Sequence, residues 1–216
     1  MELNRTYKPE ENKYLIKIVV VGDIGVGKTN IIRRILGQDF KEMEATIGVE
    51  FGYINIDNID PDNPDIKLCL QIWDTSGAER YRSITTSHIR NADGAYIVYD
   101  IGNSNTFEKV QFWYDCIKNA TDEDIVIYLI GNKSDIVYTE GRQVQKSKAV
   151  SFVKTNNLHG FVECSAKQNT GIENTFKLFY NTIYKNNKLK LKEKLEKKLK
   201  EMKRITSLNE DKNGCC

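Results

Sequence analysis

The sequence predicts an α/β fold in which a mostly parallel, six-stranded sheet carries helices on both faces. Strand and helix patterns alternate along the chain from Tyr14 onward, which is typical of a parallel sheet with helical connections. Short apolar segments bounded by turn residues indicate buried strands. Six such segments are Ile16–Val21, Gly48–Asp57, Ile66–Asp74, Ala95–Ile101, Asp124–Gly131 and Phe161–Cys164.

Helices are predicted where apolar residues recur at helical spacing between these strands. The segments are Asn30–Leu36, Thr106–Ala120, Gln143–Thr155 and Ile172–Tyr184. Because ligands bind at the carboxyl ends of the strands in sheets of this kind, we expect functional motifs directly after the strands.

The 216 residues are most simply one domain with extensions at both ends. We expect a flexible lead-in over residues 1–13, a folded domain over residues 14–185 and a tail over residues 186–216. Hydrophobic residues make up 40% and charged residues 29% of the chain, which suits a soluble core. No apolar segment approaches the ~20 residues that span a bilayer, and the polar first residues predict no signal peptide.

The net charge of +2 conceals a basic tail and a mildly acidic body. Residues 184–204 contain ten Lys and Arg residues against three Glu residues. A nucleic-acid-binding protein would need its basic patch on the folded body, so no nucleic-acid partner is expected. Cys69, Cys116 and Cys164 lie in apolar patterns and are predicted to be reduced core residues.

The most informative motif lies between the first strand and the first helix and fits the phosphate-binding pattern G-x-x-x-x-G-K-[ST]. It reads Gly22-Asp23-Ile24-Gly25-Val26-Gly27-Lys28-Thr29. Its glycines let main-chain amides approach a phosphate at a helix N-terminus. Lys28 supplies a positive charge for the β- and γ-phosphates, and Thr29 a hydroxyl for Mg²⁺. The alternative is a glycine-rich turn with an incidental lysine, but the flanking strand and helix favour the phosphate loop.

Three further polar motifs follow predicted strands, and one precedes the second strand. The motifs after strands are Trp73–Glu79, Asn132–Asp135 and Ser165–Lys167, and the fourth is Ala45–Phe51. In this order they resemble the Ras superfamily of small GTPases. Within it, the segments Ile47–Phe51 and Arg80–Ile84 and the final Cys215-Cys216 resemble the Rab family. The resemblance implies a P-loop NTPase fold of the small-GTPase type.

The resemblance implies a magnesium and γ-phosphate site built from separate segments. Thr29, Thr46 and Asp74 would hold Mg²⁺, with Thr46 also sensing the γ-phosphate. The amide of Gly77 would bond the γ-phosphate. The catalytic positions implied are Lys28, Thr46, Gly77 and Ala78.

The resemblance also implies a guanine pocket. Asn132 would brace it, Lys133 would pack along the base, and Asp135 would accept hydrogen bonds from guanine N1 and N2. Adenine does not present these two donors, and an unpaired buried acceptor costs about 1–3 kcal/mol. The amide of Ala166 would donate to guanine O6, and the remaining implied nucleotide contacts are Ser165, Lys167, Asn30 and Phe40. Taken alone, Asn132–Asp135 could be a simple polar turn.

Several positions depart from the family pattern. Ala78 stands where the family usually has the glutamine that orients the attacking water. Ile24 replaces a small residue beside the γ-phosphate and would crowd that water. The segment from Phe40 to Thr46 is one residue shorter than usual, which leaves the place of Phe40 beside the base open. The sequence therefore predicts slow hydrolysis or, alternatively, a GTP-bound interaction module with negligible turnover.

The resemblance implies an effector surface that includes Ile47, Phe51, Trp73 and His88, with His88 in place of a tyrosine. Ordinary core packing is an equal alternative for Phe51 and Trp73, and His88 could be a half-exposed histidine without a role or a pH-responsive contact.

The tail combines a Lys-rich segment with a terminal cysteine pair. The Lys-rich segment has leucines at helical spacing and is either a solvated helix or a contact with anionic lipid. Cys215 and Cys216 resemble the double geranylgeranyl site of Rab proteins, and two lipid chains anchor a protein stably.

The resemblance implies a monomeric switch in vesicle trafficking that cycles between GDP and GTP. Its expected partners are an exchange factor, a GTPase-activating protein, an escort or dissociation inhibitor, effectors and a membrane. The expected location is the cytoplasmic face of endomembranes, in exchange with the cytosol.

Overall fold

A computed structural model of the chain describes residues 4–6, 13–42, 50–57, 59–64, 66–75, 87–121, 124–138 and 141–188. The chain divides into two units, Met1–Ile183 and Tyr184–Cys216. In the second unit the described residues 184–188 are helical. No helix in the described ranges is long and apolar enough to cross a membrane.

In the first unit, strands of one sheet alternate with helices along the chain. The strands are β1 Asn4–Thr6, β2 Tyr14–Gly22, β3 Glu50–Ile56, β4 Leu68–Asp74, β5 Gly94–Asp100, β6 Val126–Asn132 and β7 Gly160–Glu163. The helices are α1 Lys28–Ile35, α2 Ser104–Glu108, α3 Val110–Ala120, α4 Lys146–Thr155 and α5 over residues 172–183, with a 3₁₀ helix at Ser134–Tyr138.

The sheet order is β1-β3-β4-β2-β5-β6-β7. The pairings from β4 through β7 are parallel, whereas β3 pairs antiparallel with both β4 and β1. The predicted six-stranded, mostly parallel sheet is therefore confirmed, with one short edge strand added. That edge strand lies in the segment for which the sequence predicts a flexible lead-in. The sequence gives no sign of the strand, because main-chain pairing with β3 needs no apolar periodicity.

Helices pack on both faces of the sheet, as predicted. On one face, Trp113 and Ile117 of α3 and Ala149 of α4 join the buried residues of β5 and β6. On the other face, the ring of Phe179 in α5 lies 4.3 Å from that of Tyr96 in β5. Gly94 of β5 allows this approach, because a Cβ there would lie 2.5 Å from Ile183 Cδ1.

Two element boundaries differ from the predictions for local reasons. The predicted helix Thr106–Ala120 is divided at Lys109 into α2 and α3. Helix α4 begins at Lys146 rather than Gln143, because the amides of Gln143 and Val144 both donate to the carbonyl of Ile101. Cys69 and Cys164 are buried thiols outside any disulfide, and Cys116 is a partly buried one.

Candidate functional site

The phosphate loop connects β2 to α1, and its glycines adopt conformations that other residues rarely adopt. Gly25 and Gly27 have φ values of 73° and 94°. A Cβ on Gly27 would lie 2.4 Å from Asn132 Nδ2, so only glycine leaves room for that side chain. Gly27 precedes the first residue of α1, so the loop ends at a helix N-terminus.

Lys28 is buried beneath the loop, and its ammonium group is held by main-chain carbonyls. Its Nζ donates to the carbonyls of Gly22 at 3.0 Å and Asp23 at 2.9 Å. Burial lowers the pKa of Lys28 to about 8, and the carboxylates of Asp74 and Asp23 partly offset this effect. A buried cation of this kind gains from an arriving polyphosphate, which would replace weak carbonyl partners by charged ones.

The two described residues of the predicted magnesium site lie in contact. Thr29 Oγ1 donates to Asp74 Oδ2 at 2.5 Å, and Asp74 is buried at the end of β4. Hydroxyl and carboxylate oxygens are the donors that Mg²⁺ prefers. No cluster of three or more His, Cys, Asp or Glu side chains in the described ranges could hold a metal by itself. The hydroxyl of Thr29 and the carboxylate of Asp74 fit a Mg²⁺ ion that takes its other ligands from phosphate and water.

The predicted base motif adjoins the phosphate loop at the ends of β5 and β6. Asn132 Nδ2 donates to the carbonyl of Val26 at 2.8 Å, and Asn132 Oδ1 accepts from the amide of Ala166 at 3.1 Å. Lys133 has a φ of 66°, and its Nζ forms an ion pair with Asp100 Oδ2 at 2.7 Å. In this structure the Ala166 amide thus points at Asn132, the residue predicted to brace the pocket.

The predicted base acceptor, Asp135, is half-buried in the 3₁₀ helix that follows β6. The hydroxyl of Ser165, which is fully buried, donates to its Oδ1. Cys164 Sγ lies 3.7 Å from Asn132 Oδ1, and burial raises the pKa of this thiol to about 12, so it stays neutral. Ser165 and Cys164 therefore connect the loop after β7 to both ends of the base motif.

The segment around Phe40 is held against α1. Asn30 Nδ2 donates to the carbonyl of Lys41 at 2.9 Å, and the amide of Lys41 donates back to Asn30 Oδ1 at 3.0 Å. Phe40 itself is half-buried.

Three aromatic residues predicted for the effector surface form a contiguous row. The ring centroids of Phe51 and Trp73 are 5.2 Å apart, and those of Trp73 and His88 are 5.1 Å apart. Phe51 is 54% exposed, which excludes ordinary core packing for that residue. Lys17 Nζ lies 4.9 Å from the ring centroid of Trp73, the middle residue of the row, in a cation–π arrangement.

Six predicted site residues lie outside the described ranges, as does most of the tail. They are Thr46, Ile47, Gly77, Ala78, Cys215 and Cys216. Their assigned roles stay predictions.

Two charged residues that the sequence analysis did not select contact the site. Asp100 pairs with Lys133, and Lys109 Nζ lies 3.1 Å from Asp23 Oδ2 in the phosphate loop. Asp100 ends β5, so the rule that functional residues follow strands could have identified it. Lys109 carries no such signal, because its place beside Asp23 depends on how α2 and α3 pack.

Comparison with known proteins identifies relatives that share most of the chain. The sequence model of the Ras family matches residues 17–185. The Ras-related protein YPTC6 of Chlamydomonas reinhardtii is 42% identical over 181 residues, which cover 83% of this chain and 80% of the relative. The Ras-related protein RABA1c of Arabidopsis thaliana is 43% identical over 168 residues, 77% of this chain and 74% of the relative.

The Ras-related protein RIC2 of Oryza sativa subsp. japonica is 40% identical over 181 residues, 83% of this chain and 80% of the relative. Together with the phosphate loop and the base motif at the carboxyl ends of β2 and β6, these matches establish the family. The chain belongs to the Ras family and is a Rab-like small GTPase.

Proposed function

We propose that this chain is a GDP/GTP switch of vesicle trafficking that binds guanine nucleotides with Mg²⁺ and recruits effectors in its GTP-bound form. The observation that carries the proposal is the position of Asn132, which contacts both the phosphate loop and the loop after β7. A pocket that joins these two loops can bind the phosphates and the base of one nucleotide at the same time.

Residues of the phosphate loop and of the strand ends around it would bind the nucleotide and neutralise its charge. Lys28 and the amides of the phosphate loop neutralise the phosphates, and Thr29 and Asp74 would hold Mg²⁺. The ion would shield the charge that develops on the phosphate oxygens. Asp135 accepts from guanine, while Ser165 fixes its carboxylate. Thr46 and Gly77 are assigned the γ-phosphate contacts by resemblance.

We infer that intrinsic hydrolysis is slow. Ala78 has no polar atom with which to orient a water molecule. Ile24 is 51% exposed on the phosphate loop, so its branched side chain is available to crowd the same water. A GTPase-activating protein that brings its own polar group would overcome both features.

A second candidate, from a different class, is an interaction module that holds GTP with negligible turnover, and Ile24 and Ala78 are the residues that favour it. A single-turnover GTP hydrolysis assay separates the two. We expect slow hydrolysis alone and acceleration on addition of the catalytic domain of a Rab GTPase-activating protein. A rate that stays at background with every such domain tested would favour the module.

We propose that the GTP-bound form presents the row of Phe51, Trp73 and His88 to effectors. The row is exposed at Phe51, and Lys17 lies against Trp73, which suits a partner with apolar and acidic side chains. Ile47 is assigned to the same surface by resemblance. The resemblance also implies that exchange factors and dissociation inhibitors are partners. We expect the protein to be a monomer and to bind no nucleic acid.

The membrane part of the proposal rests on the tail. Two prenyl chains on Cys215 and Cys216 would hold the protein on the cytoplasmic face of endomembranes, and an escort protein would return it to the cytosol.

A further inference from the structure

The side chain of Arg34 joins two segments that are far apart in sequence. Arg34 lies in the last turn of α1, and its side chain is 15% exposed. Its Nε donates to the carbonyl of Ala166 at 2.9 Å, and its Nη2 donates to the carbonyl of Lys167 at 3.3 Å. Its Nη1 donates to Asp39 Oδ1 at 3.1 Å. One planar guanidinium therefore binds the loop after β7 on one side and the residue before Phe40 on the other.

The contacts of Arg34 complete the fixation of the loop after β7. The amide of Ala166 donates to Asn132, and the hydroxyl of Ser165 donates to Asp135, so the side of the loop near the base motif is fixed. The carbonyls of Ala166 and Lys167 accept hydrogen bonds from Arg34. The amide and the carbonyl of Ala166 flank the same Cα, so loss of Arg34 would let the carbonyl side turn and would leave the Ala166 amide held by Asn132 alone.

Side chains of α1 also fix the segment around Phe40, and Arg33, the neighbour of Arg34, is one of them. Arg33 Nε donates to the carbonyl of Asp39 at 2.9 Å, and Asn30 holds Lys41. Arg33 donates to this segment, whereas Arg34 donates both to this segment and to the loop after β7. The two arginines are adjacent, carry the same charge and lie on the same helix, so they form a matched pair.

We propose that Arg34 is a positioning residue that sets the distance between residues 165–167 and the segment at Phe40, the two walls assigned to the guanine base. The inference rests on the proposed function, because it concerns the same base site. Arginine is suited to the task, since its fork offers donors in three directions within one plane. A lysine has one ammonium group and cannot reach three acceptors that surround a plane.

The test measures GDP and ADP affinity for the full chain and for Arg34→Ala, Arg34→Lys and Arg33→Ala, with Mg²⁺ present and with fluorescent mant derivatives as probes. We expect Arg34→Ala to weaken GDP binding about tenfold or more, the effect expected when hydrogen bonds from a charged donor are lost. ADP does not use the oriented Ala166 amide, so its affinity should change much less and the preference for GDP should fall. Arg33→Ala should preserve that preference.

Arg34→Lys keeps the charge and the aliphatic stem, so it serves as a second variant in case the alanine variant does not fold. It should also lose preference for GDP, because the fork is absent. Equal weakening of GDP and ADP, or equal preference in the Arg34 and Arg33 variants, would overturn the positioning role. Wild-type protein without any preference for GDP would instead overturn the guanine site itself, and the role of Arg34 with it.

Discussion

Asn132 Nδ2 lies 2.8 Å from the carbonyl oxygen of Val26, and the Oδ1 of the same side chain lies 3.1 Å from the amide of Ala166. One buried amide side chain thus connects the phosphate loop to the loop after β7. Gly27 makes this possible, because any side chain there would collide with Asn132. A single side chain therefore holds the two halves of the site together.

The replacement Asn132→Asp tests this connection. It keeps an acceptor for the Ala166 amide but places a carboxylate oxygen against the carbonyl of Val26, where a donor is needed. We expect the free energy of unfolding to fall by about 2 kcal/mol and GDP dissociation to accelerate about tenfold or more. Urea denaturation and release of mant-GDP measure these two effects. Unchanged GDP release would show that the Val26 contact does not organise the site.

Histidine protonation should destabilise the fold at mildly acidic pH. The amide of Ile127 donates to Nδ1 of His159, an interaction that only the neutral ring accepts. Burial, together with the charge of Lys118, lowers the pKa of His159 below its usual value of about 6.5. The unfolded chain therefore takes up the proton first, and stability decreases as pH falls from about 6.5 toward the folded-state pKa.

The measurement for His159 is urea unfolding of wild type, His159→Gln and His88→Gln at pH 7.5 and pH 5.5. His159→Gln should lose less stability on acidification than the wild type. His88→Gln replaces the only other histidine and serves as the control for removal of a histidine. Identical pH dependence in all three proteins would refute a role for His159.

Turnover should depend on Ala78 and Ile24 together. Intrinsic hydrolysis should lie below that of Ras, which is on the order of 10⁻⁴ s⁻¹. Ala78→Gln alone should restore little activity while Ile24 remains, and Ala78→Gln with Ile24→Ser should restore much more. The effects are non-additive because both residues act on one water. The measurement is single-turnover phosphate release from wild type, Ala78→Gln, Ile24→Ser and the double variant. Wild-type hydrolysis as fast as that of a glutamine-containing Rab would contradict the prediction.

Membrane attachment should require both terminal cysteines. Changing Cys215 and Cys216 together to serine should release the protein to the cytosol, whereas changing one should leave weak binding, because one lipid chain anchors only marginally. Fractionation of cells that express each tagged variant is the measurement. A double variant that stays on membranes would assign attachment to the Lys-rich segment or to a protein partner.

The sequence was sufficient for the sheet, because strands leave local apolar patterns, and the same patterns selected the candidate binding residues. Apolar runs identified the six longer strands, and polar residues after those strands identified Lys28, Asp74 and Asn132. The strand at Asn4–Thr6 could not be predicted, since it is polar and is stabilised by pairing with residues about fifty positions away.

The contacts that organise the site could not be predicted for a similar reason. Arg34 and Ala166 are 132 positions apart, and two arginines in the last turn of a helix suggest only a favourable interaction with the helix dipole. Lys109 and Asp23 are likewise far apart in sequence and meet only in the folded chain. Such pairs depend on the tertiary fold and leave no local pattern.

The central claim is that the pocket between the phosphate loop and the base motif selects guanine through Asp135. Competition binding of GTP, ATP and XTP to wild type and to Asp135→Asn tests it most directly. Wild type should bind GTP and reject ATP, because adenine leaves the half-buried carboxylate without its two donors. Asp135→Asn should weaken GTP and shift preference toward XTP, since the new amide presents a donor where guanine needs an acceptor. Wild-type protein that binds ATP as tightly as GTP would contradict the claim.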